Sequence, residues 1–114
     1  MINSLNGTIS YISADSITLE VNGVGFEVFV DKNLINKHQI GEHLQLLIHM
    51  IIRQDLLALY GFVTPEEKEV FNLLLGTDGV GPKLAMAIIS NLSIDNIRNA
   101  VLAEKPEYFV RVPG

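Results

Sequence analysis

Leu73-Leu74-Leu75-Gly76-Thr77-Asp78-Gly79-Val80-Gly81-Pro82-Lys83-Leu84-Ala85 reads as the end of one helix, a reversal cornered by glycines, and a second helix starting at Pro82. Proline suits a first helical position because its ring presets φ and its missing N–H would be unpaired there anyway. Gly79 and Gly81 lack Cβ atoms, so the turn can take left-handed angles and a phosphate can approach the backbone closely. Free N–H groups and partial positive charge at the start of the Pro82 helix then form an anion site. Lys83, in the first turn, adds a formal charge. Val80 can point back between the helices, and Ala85 is small enough to let them pack closely. Gly79, Val80, Gly81, Pro82 and Lys83 thus make a helix-hairpin-helix, which holds a nucleic-acid phosphate without reading bases.

A Gly-x-Gly before a helix also occurs in turns that only pack. What favours nucleic acid is a second, partial copy: Phe109-Val110-Arg111-Val112-Pro113-Gly114 parallels Leu74-Leu75-Gly76-Thr77-Asp78-Gly79, with Gly114 falling 35 residues after Gly79. Tandem hairpins can hold two phosphates of one backbone, which adds Gly114 to the candidate phosphate-binding residues. The second hairpin is cut in half at that glycine.

Composition narrows the field. With 114 residues, 48% of them apolar, the chain can build a real core as one ordinary domain or two very small ones. There is no cysteine, which excludes disulfides and thiolate chemistry and fits a reducing cytoplasm. The N-terminus lacks the basic start and apolar block of a signal peptide. Leu46 to Ile52, the longest apolar run, is interrupted by His49 and too short to span a bilayer. Net charge is −5, with three Lys/Arg against six Asp/Glu in residues 1–63 and five against seven in 64–114. That argues against binding DNA by bulk electrostatics, so a grip by these residues must come from backbone amides and a few placed lysines.

The first thirty residues carry strand signals. Leu5, Thr8, Ile9, Tyr11 and Ile12 are β-formers, and Ser13-Ala14-Asp15 suits a turn. Ile17, Leu19 and Val21 alternate with Ser16, Thr18 and Glu20, the period of a half-buried strand. Asn22-Gly23 predicts a tight hairpin because both positions tolerate positive φ. A third strand is expected over 24–30, with Gly25 marking a bulge or bend. Asp31 can cap a short helix near Lys32 to Lys37, and Gly41 ends that excursion. A long strand follows from Leu44 to Ile52, with Leu44, Leu46, Ile48 and Met50 on one face. Its return strand is Leu57 to Phe62, around a tip of Arg53-Gln54-Asp55-Leu56. Five strands with a helix between the third and fourth suggest a Greek-key barrel of the oligonucleotide-binding (OB) type.

At Thr64 the composition changes. Thr64-Pro65-Glu66-Glu67 pairs a cap hydroxyl with a Glu three residues on. Val70, Phe71 and Leu74 stripe the helix entering the opening motif; Leu84, Ala85, Ile88 and Ile89 stripe the one leaving it. Ser93-Ile94-Asp95-Asn96 begins a third helix with Ile94, Ile97, Val101 and Leu102 inside, and Lys105-Pro106-Glu107 opens a short fourth. The fold class is therefore α+β: a five-stranded OB-type barrel over 1–63, then an all-α tandem helix-hairpin-helix domain over 64–114.

Gly7-Thr8, the string from Leu19 to Val28, Leu59-Tyr60-Gly61-Phe62, Gly79 to Ala85 and Val112-Pro113-Gly114 together resemble the RuvA family of Holliday-junction-binding subunits in bacterial branch migration. The resemblance runs from end to end of the chain. It implies a homotetramer, or an octamer of two stacked tetramers, holding a four-way DNA junction open in recombination and repair, independently of sequence. It also implies a RuvB ATPase partner reached through a C-terminal domain not present here, with RuvC resolvase as a further partner, and a cytoplasmic location. In the family the last barrel hairpin carries an acidic pin, often two adjacent carboxylates; here the matching positions are Gln54 and Asp55, so one carboxylate is replaced. Asp78 is a second departure, since a neutral or small residue commonly stands there. Beside a phosphate site it should weaken binding unless its side chain turns to cap the Pro82 helix, which is the expectation adopted.

Neither a Ser-His-Asp set, nor paired carboxylates, nor a Walker loop is present, so no catalytic site and no cofactor are expected. His43 and His49 lie on one strand roughly 20 Å apart at about 3.3 Å per residue, too far to share a metal. Two rival readings remain. A helix-hairpin-helix glycosylase or lyase needs a base pocket in a larger helical domain. A protein-binding OB adaptor would use its hairpins only for packing.

Overall fold

Alternating apolar residues build the N-terminal unit. The computed structural model describes residues 1–93, 95–97 and 99. It divides into two compact units, Met1–Pro65 and Glu66–Gly114. The first holds β1 (Ser4–Ile12), β2 (Ser16–Val21), β3 (Val24–Phe29), α1 (Lys32–Lys37), β4 (His43–Arg53) and β5 (Leu56–Phe62). The strands close a barrel in the order β1-β2-β3-β5-β4. All neighbours are antiparallel except β3 and β5, which pair in parallel at Val28↔Leu59 and Phe29↔Tyr60. Ile9, Ile17, Leu19, Val28, Leu46 and Ile48 fill the interior, with Leu44 and Met50 packed against them. This is the period-2 stripe read from β2 and β4, and it places an OB-type barrel ahead of the helices.

Local signals set the corners. Asn22 (φ 50°) and Gly23 (φ 84°) both take positive φ, the turn whose twist matches the strands it joins. Asp31 caps α1 by accepting the Asn33 N–H at 2.6 Å. Gly25, read as a bulge or bend, instead pairs in register with Glu20 in an unbroken β2–β3 ladder. A Cβ there would sit 3.2 Å from Thr18 Cγ2, so the glycine relieves side-chain crowding. The irregularity falls in β1, between Ile9 and Tyr11. There Ile9 turns to the loop before β4: its N–H donates to Glu42 O at 2.9 Å and its carbonyl accepts from Gly41 N–H at 2.8 Å.

In the second unit α2 (Pro65–Leu75) buries Val70, Phe71 and Leu74, and α3 (Pro82–Asn91) buries Ala85, Met86, Ile88 and Ile89. Helix α2 begins directly after Thr64. Ser93 caps the next helical segment, its hydroxyl accepting the Asn96 N–H at 3.1 Å and its carbonyl the Ile97 N–H at 3.0 Å. Ile97 is buried. The expectations for Ile94, Val101, Leu102 and Lys105-Pro106-Glu107 lie outside the described residues.

Candidate nucleic-acid interface

The turn between α2 and α3 is closed by its own backbone. Gly76 N–H is shared between Asn72 O (3.3 Å) and Leu73 O (3.2 Å), and Thr77 N–H donates to Leu74 O at 3.0 Å. The Thr77 hydroxyl adds a bond to Leu73 O at 3.2 Å. These bonds occupy the Asn72, Leu73 and Leu74 carbonyls in the last turn of α2. Gly79 then reverses the chain with φ +80°, and Val80 N–H donates to Thr77 O at 3.1 Å. Val80 is half-buried, whereas Gly79, Gly81 and Lys83 are exposed.

The start of α3 is left open. Gly81 is its N-cap at φ −92°, ψ 179°, with Pro82 following. Any residue can adopt that backbone, so Gly81 matters through space: a Cβ on it would meet nothing within 4 Å. The first intrahelical bond is Ala85 N–H to Gly81 O at 2.9 Å. No acceptor among the described residues takes the N–H groups of Gly79, Gly81, Lys83 or Leu84. Unpaired donors at a helix N-terminus suit an anion, and the Lys83 ammonium, with no ion pair among the described residues, stands in the same turn.

Asp78 does not cap α3. The N-cap is Gly81, and the helix receives no side-chain cap bond. A capping side chain must stand at the N-cap position to reach the second or third helical N–H, and Asp78 sits three residues earlier, before the Gly79 reversal. Its carboxylate is exposed. Gly114, the candidate of the second hairpin, lies outside the described residues.

Gln54 and Asp55 form the tip between β4 and β5. Strand pairing extends to Arg53↔Leu56, so the four-residue tip read from sequence shrinks to two, both exposed. Neither has positive φ, since Asn22 is the only non-glycine that does among the described residues. The hairpin therefore lacks the turn geometry of Asn22-Gly23.

The histidines make separate contacts. His38 Nδ1 bonds Glu42 Oε2 at 2.9 Å, and Gln39 N–H donates to Glu42 Oε1 at 2.9 Å. The His38 bond first, then the Gln39 amide, hold the Glu42 carboxyl below its ordinary value. His43 Nε2 bonds Asn6 Oδ1 across to β1. Among the described residues no group of three His, Cys, Asp or Glu gathers to hold a metal, and no helix is long and apolar enough to cross a membrane.

Residues 1–61 match the family described as RuvA N terminal domain. The chain belongs to the RuvA family. Residues 71–114 match a SAM-like helix-hairpin-helix tandem, a span that takes in both the α2–α3 turn and Gly114. Similar curated relatives carry the name Holliday junction branch migration complex subunit RuvA. One from Exiguobacterium sp. is 39% identical over 114 residues. Others from Methylibium petroleiphilum and Clostridium perfringens are 37% and 35% identical over 115. Each match covers 100% of this chain but only 57–60% of the relative, so the chain spans under two thirds of the RuvA proteins it resembles.

Sequence reading missed one feature of this RuvA chain. Ile52, Leu56 and Leu57, beside the tip, are 57%, 46% and 65% exposed. Ile52 and Leu57 read as ordinary strand residues and Leu56 as part of the tip; only the point where neighbouring strands stop reveals the exposed apolar group they make.

Proposed function

We propose that this RuvA chain binds four-way (Holliday) DNA junctions by their sugar-phosphate backbone, without reading sequence, and holds them open for branch migration. What supports this reading is the set of unpaired amides around Gly79, Gly81 and Lys83, in front of a helix start kept clear by glycines. In it the hairpin region, 64–114, grips phosphates through Gly79, Val80, Gly81, Pro82 and Lys83, and through Gly114 in the second hairpin. The barrel region, 1–63, presents Gln54 and Asp55, whose carboxylate keeps strands apart because it repels phosphates at close range. Copies of the chain assemble around the junction as a tetramer or octamer in the bacterial cytoplasm. The chain does no chemistry itself and needs no cofactor; motion comes from a RuvB ATPase partner, and a RuvC resolvase acts on the held junction. The names of its relatives as branch migration complex subunits favour this over a glycosylase or a protein adaptor.

The test is a competition gel shift of the full-length protein, with labelled four-way junction against unlabelled linear duplex of equal length. Junction binding that survives a large excess of duplex is the expected result. Equal displacement by duplex and junction overturns the reading in favour of an adaptor, and base release from damaged duplex overturns it in favour of a glycosylase.

A further inference from the structure

The β4–β5 hairpin outruns its barrel. On one side β4 pairs with β1 only from His43 to Leu47, and on the other β5 pairs with β3 only at Leu59 and Tyr60. Beyond Met50↔Leu59, the pairs Ile51↔Ala58, Ile52↔Leu57 and Arg53↔Leu56 have no third strand beside them. They form a two-stranded arm reaching roughly 10 Å past the barrel at about 3.3 Å per residue. Such ribbons are marginal alone, and solvated polar side chains would be the low-cost covering. The arm is covered at Ile51 and Ala58, which are buried, yet Ile52, Leu56 and Leu57 stand exposed. Ile52 and Leu57 stand opposite each other on the face that Met50 and Leu59 present to the core, so the barrel's apolar stripe continues into solvent. Arg53 ends β4, and the two-residue turn beyond carries Gln54 and Asp55, all three exposed.

Size and chemistry point to one occupant. Three side chains cover far less than the ~800 Å² per partner of a stable protein–protein interface, so the arm alone is too small to dock a second copy. A nucleobase fits better: its flat faces are apolar and its edges carry hydrogen-bonding groups. Aliphatic side chains pushed between base steps are a known way of unstacking DNA. The Gln54 amide and Asp55 carboxylate are groups that bond base edges, and the Arg53 guanidinium suits a phosphate. Resting on the junction-binding reading above, we propose that Ile52 and Leu57 form an apolar wedge that contacts unstacked bases at the crossover of a four-way junction. The Asp55 carboxylate then repels and guides backbones while the wedge keeps the freed bases from restacking.

The experiment uses the full-length protein and a junction with 2-aminopurine at the crossover, whose fluorescence rises on unstacking. At protein concentrations that saturate the junction in a gel shift, the wild type raises the signal severalfold at the crossover and not in mid-arm. Ile52→Ser/Leu57→Ser loses at least half of that gain, and Leu57→Met keeps it. Leu57→Gln alone, at the most exposed of the three positions, shows the loss in milder form and serves if the double variant melts early. Equal gains for wild type and variants overturn the wedge. So does a lower assembly mass for the variants in light scattering, which makes the arm a contact between copies. A wild type that fails to prefer junction over duplex overturns the underlying reading instead, and the gel shift reports that separately.

Discussion

Absent methyl groups decide much at the residue scale. A Cβ on Gly7 would lie 2.6 Å from the backbone oxygen of Glu20 and 2.8 Å from Val21 Cγ2; one on Gly61 would lie 2.6 Å from Val28 Cγ1 and 2.9 Å from Leu46 Cδ1. The Gly7 contact is with backbone, so it cannot be relieved by a rotamer change. Gly7→Ala is expected to cost about 1–3 kcal/mol, the usual range for overpacking, measured by urea unfolding. Asp78 is the converse, a group present where its absence would help. Its exposed carboxylate neither caps α3 nor pairs with Lys83, so it repels any phosphate held at the turn. Asp78→Asn should raise junction affinity roughly two- to fivefold at low salt, the gain shrinking toward 1 M salt, where the Debye length is about 3 Å. Glu42 ties the loop before β4 through His38 and Gln39. Its folded pKa lies below the unfolded one, so its contribution to stability is present above the ordinary carboxylate range and lost as pH falls through the folded value. Glu42→Gln should flatten that acid limb in melts run at descending pH.

Elements were legible where their causes are local. Asn22-Gly23 specifies its hairpin, Asp31 its helix cap, and Thr64-Pro65 the start of α2, because each acts within a few residues of itself. The barrel interior was legible for a related reason: period-2 alternation in β2 and β4 records which face meets the core. Gly25 misled because a missing Cβ answers equally to a bulge or to a crowding neighbour, here Thr18. The real irregularity near Ser10 depends on Gly41 and Glu42, some thirty positions away, and leaves no mark in β1. Asp78 misled because its residue type suits a cap while its position, before the left-handed Gly79, does not. At the start of α3 the reading from sequence and the geometry coincide in one respect: donors at Gly79, Gly81, Lys83 and Leu84 stand without acceptors among the described residues. Under the proposed function, Lys83 supplies the only formal positive charge of that turn. Lys83→Ala should weaken binding by a similar factor for all junction sequences and reduce the log–log salt slope by about 0.9, one phosphate contact. A loss confined to certain sequences in gel shifts across several salt concentrations would contradict backbone recognition.

At the scale of the whole molecule, charge works against DNA. A chain with net charge −5 gains nothing from its average field, so affinity rests on where a few groups stand. The hairpin turn places neutral donors and one lysine where a phosphate fits. The arm of the β4–β5 ribbon places Asp55, an exposed carboxylate, at its tip. If copies surround one junction as proposed, their Asp55 groups gather near the crossover and their repulsions add. One carboxylate about 8 Å from a phosphate in water-like surroundings costs about 0.5 kcal/mol, so four copies cost about 2 kcal/mol before screening. That repulsion opposes static binding while favouring separated, movable strands. Asp55→Asn should therefore leave junction affinity intact or raise it, by up to roughly 30-fold at low salt and much less at physiological salt. The rate of branch migration driven by the partner ATPase should change at the same time, because strands no longer feel the charge that parts them. Gel shifts give the first quantity and strand-exchange time courses the second. A clear fall in affinity would mean that Asp55 holds the junction rather than fending it off.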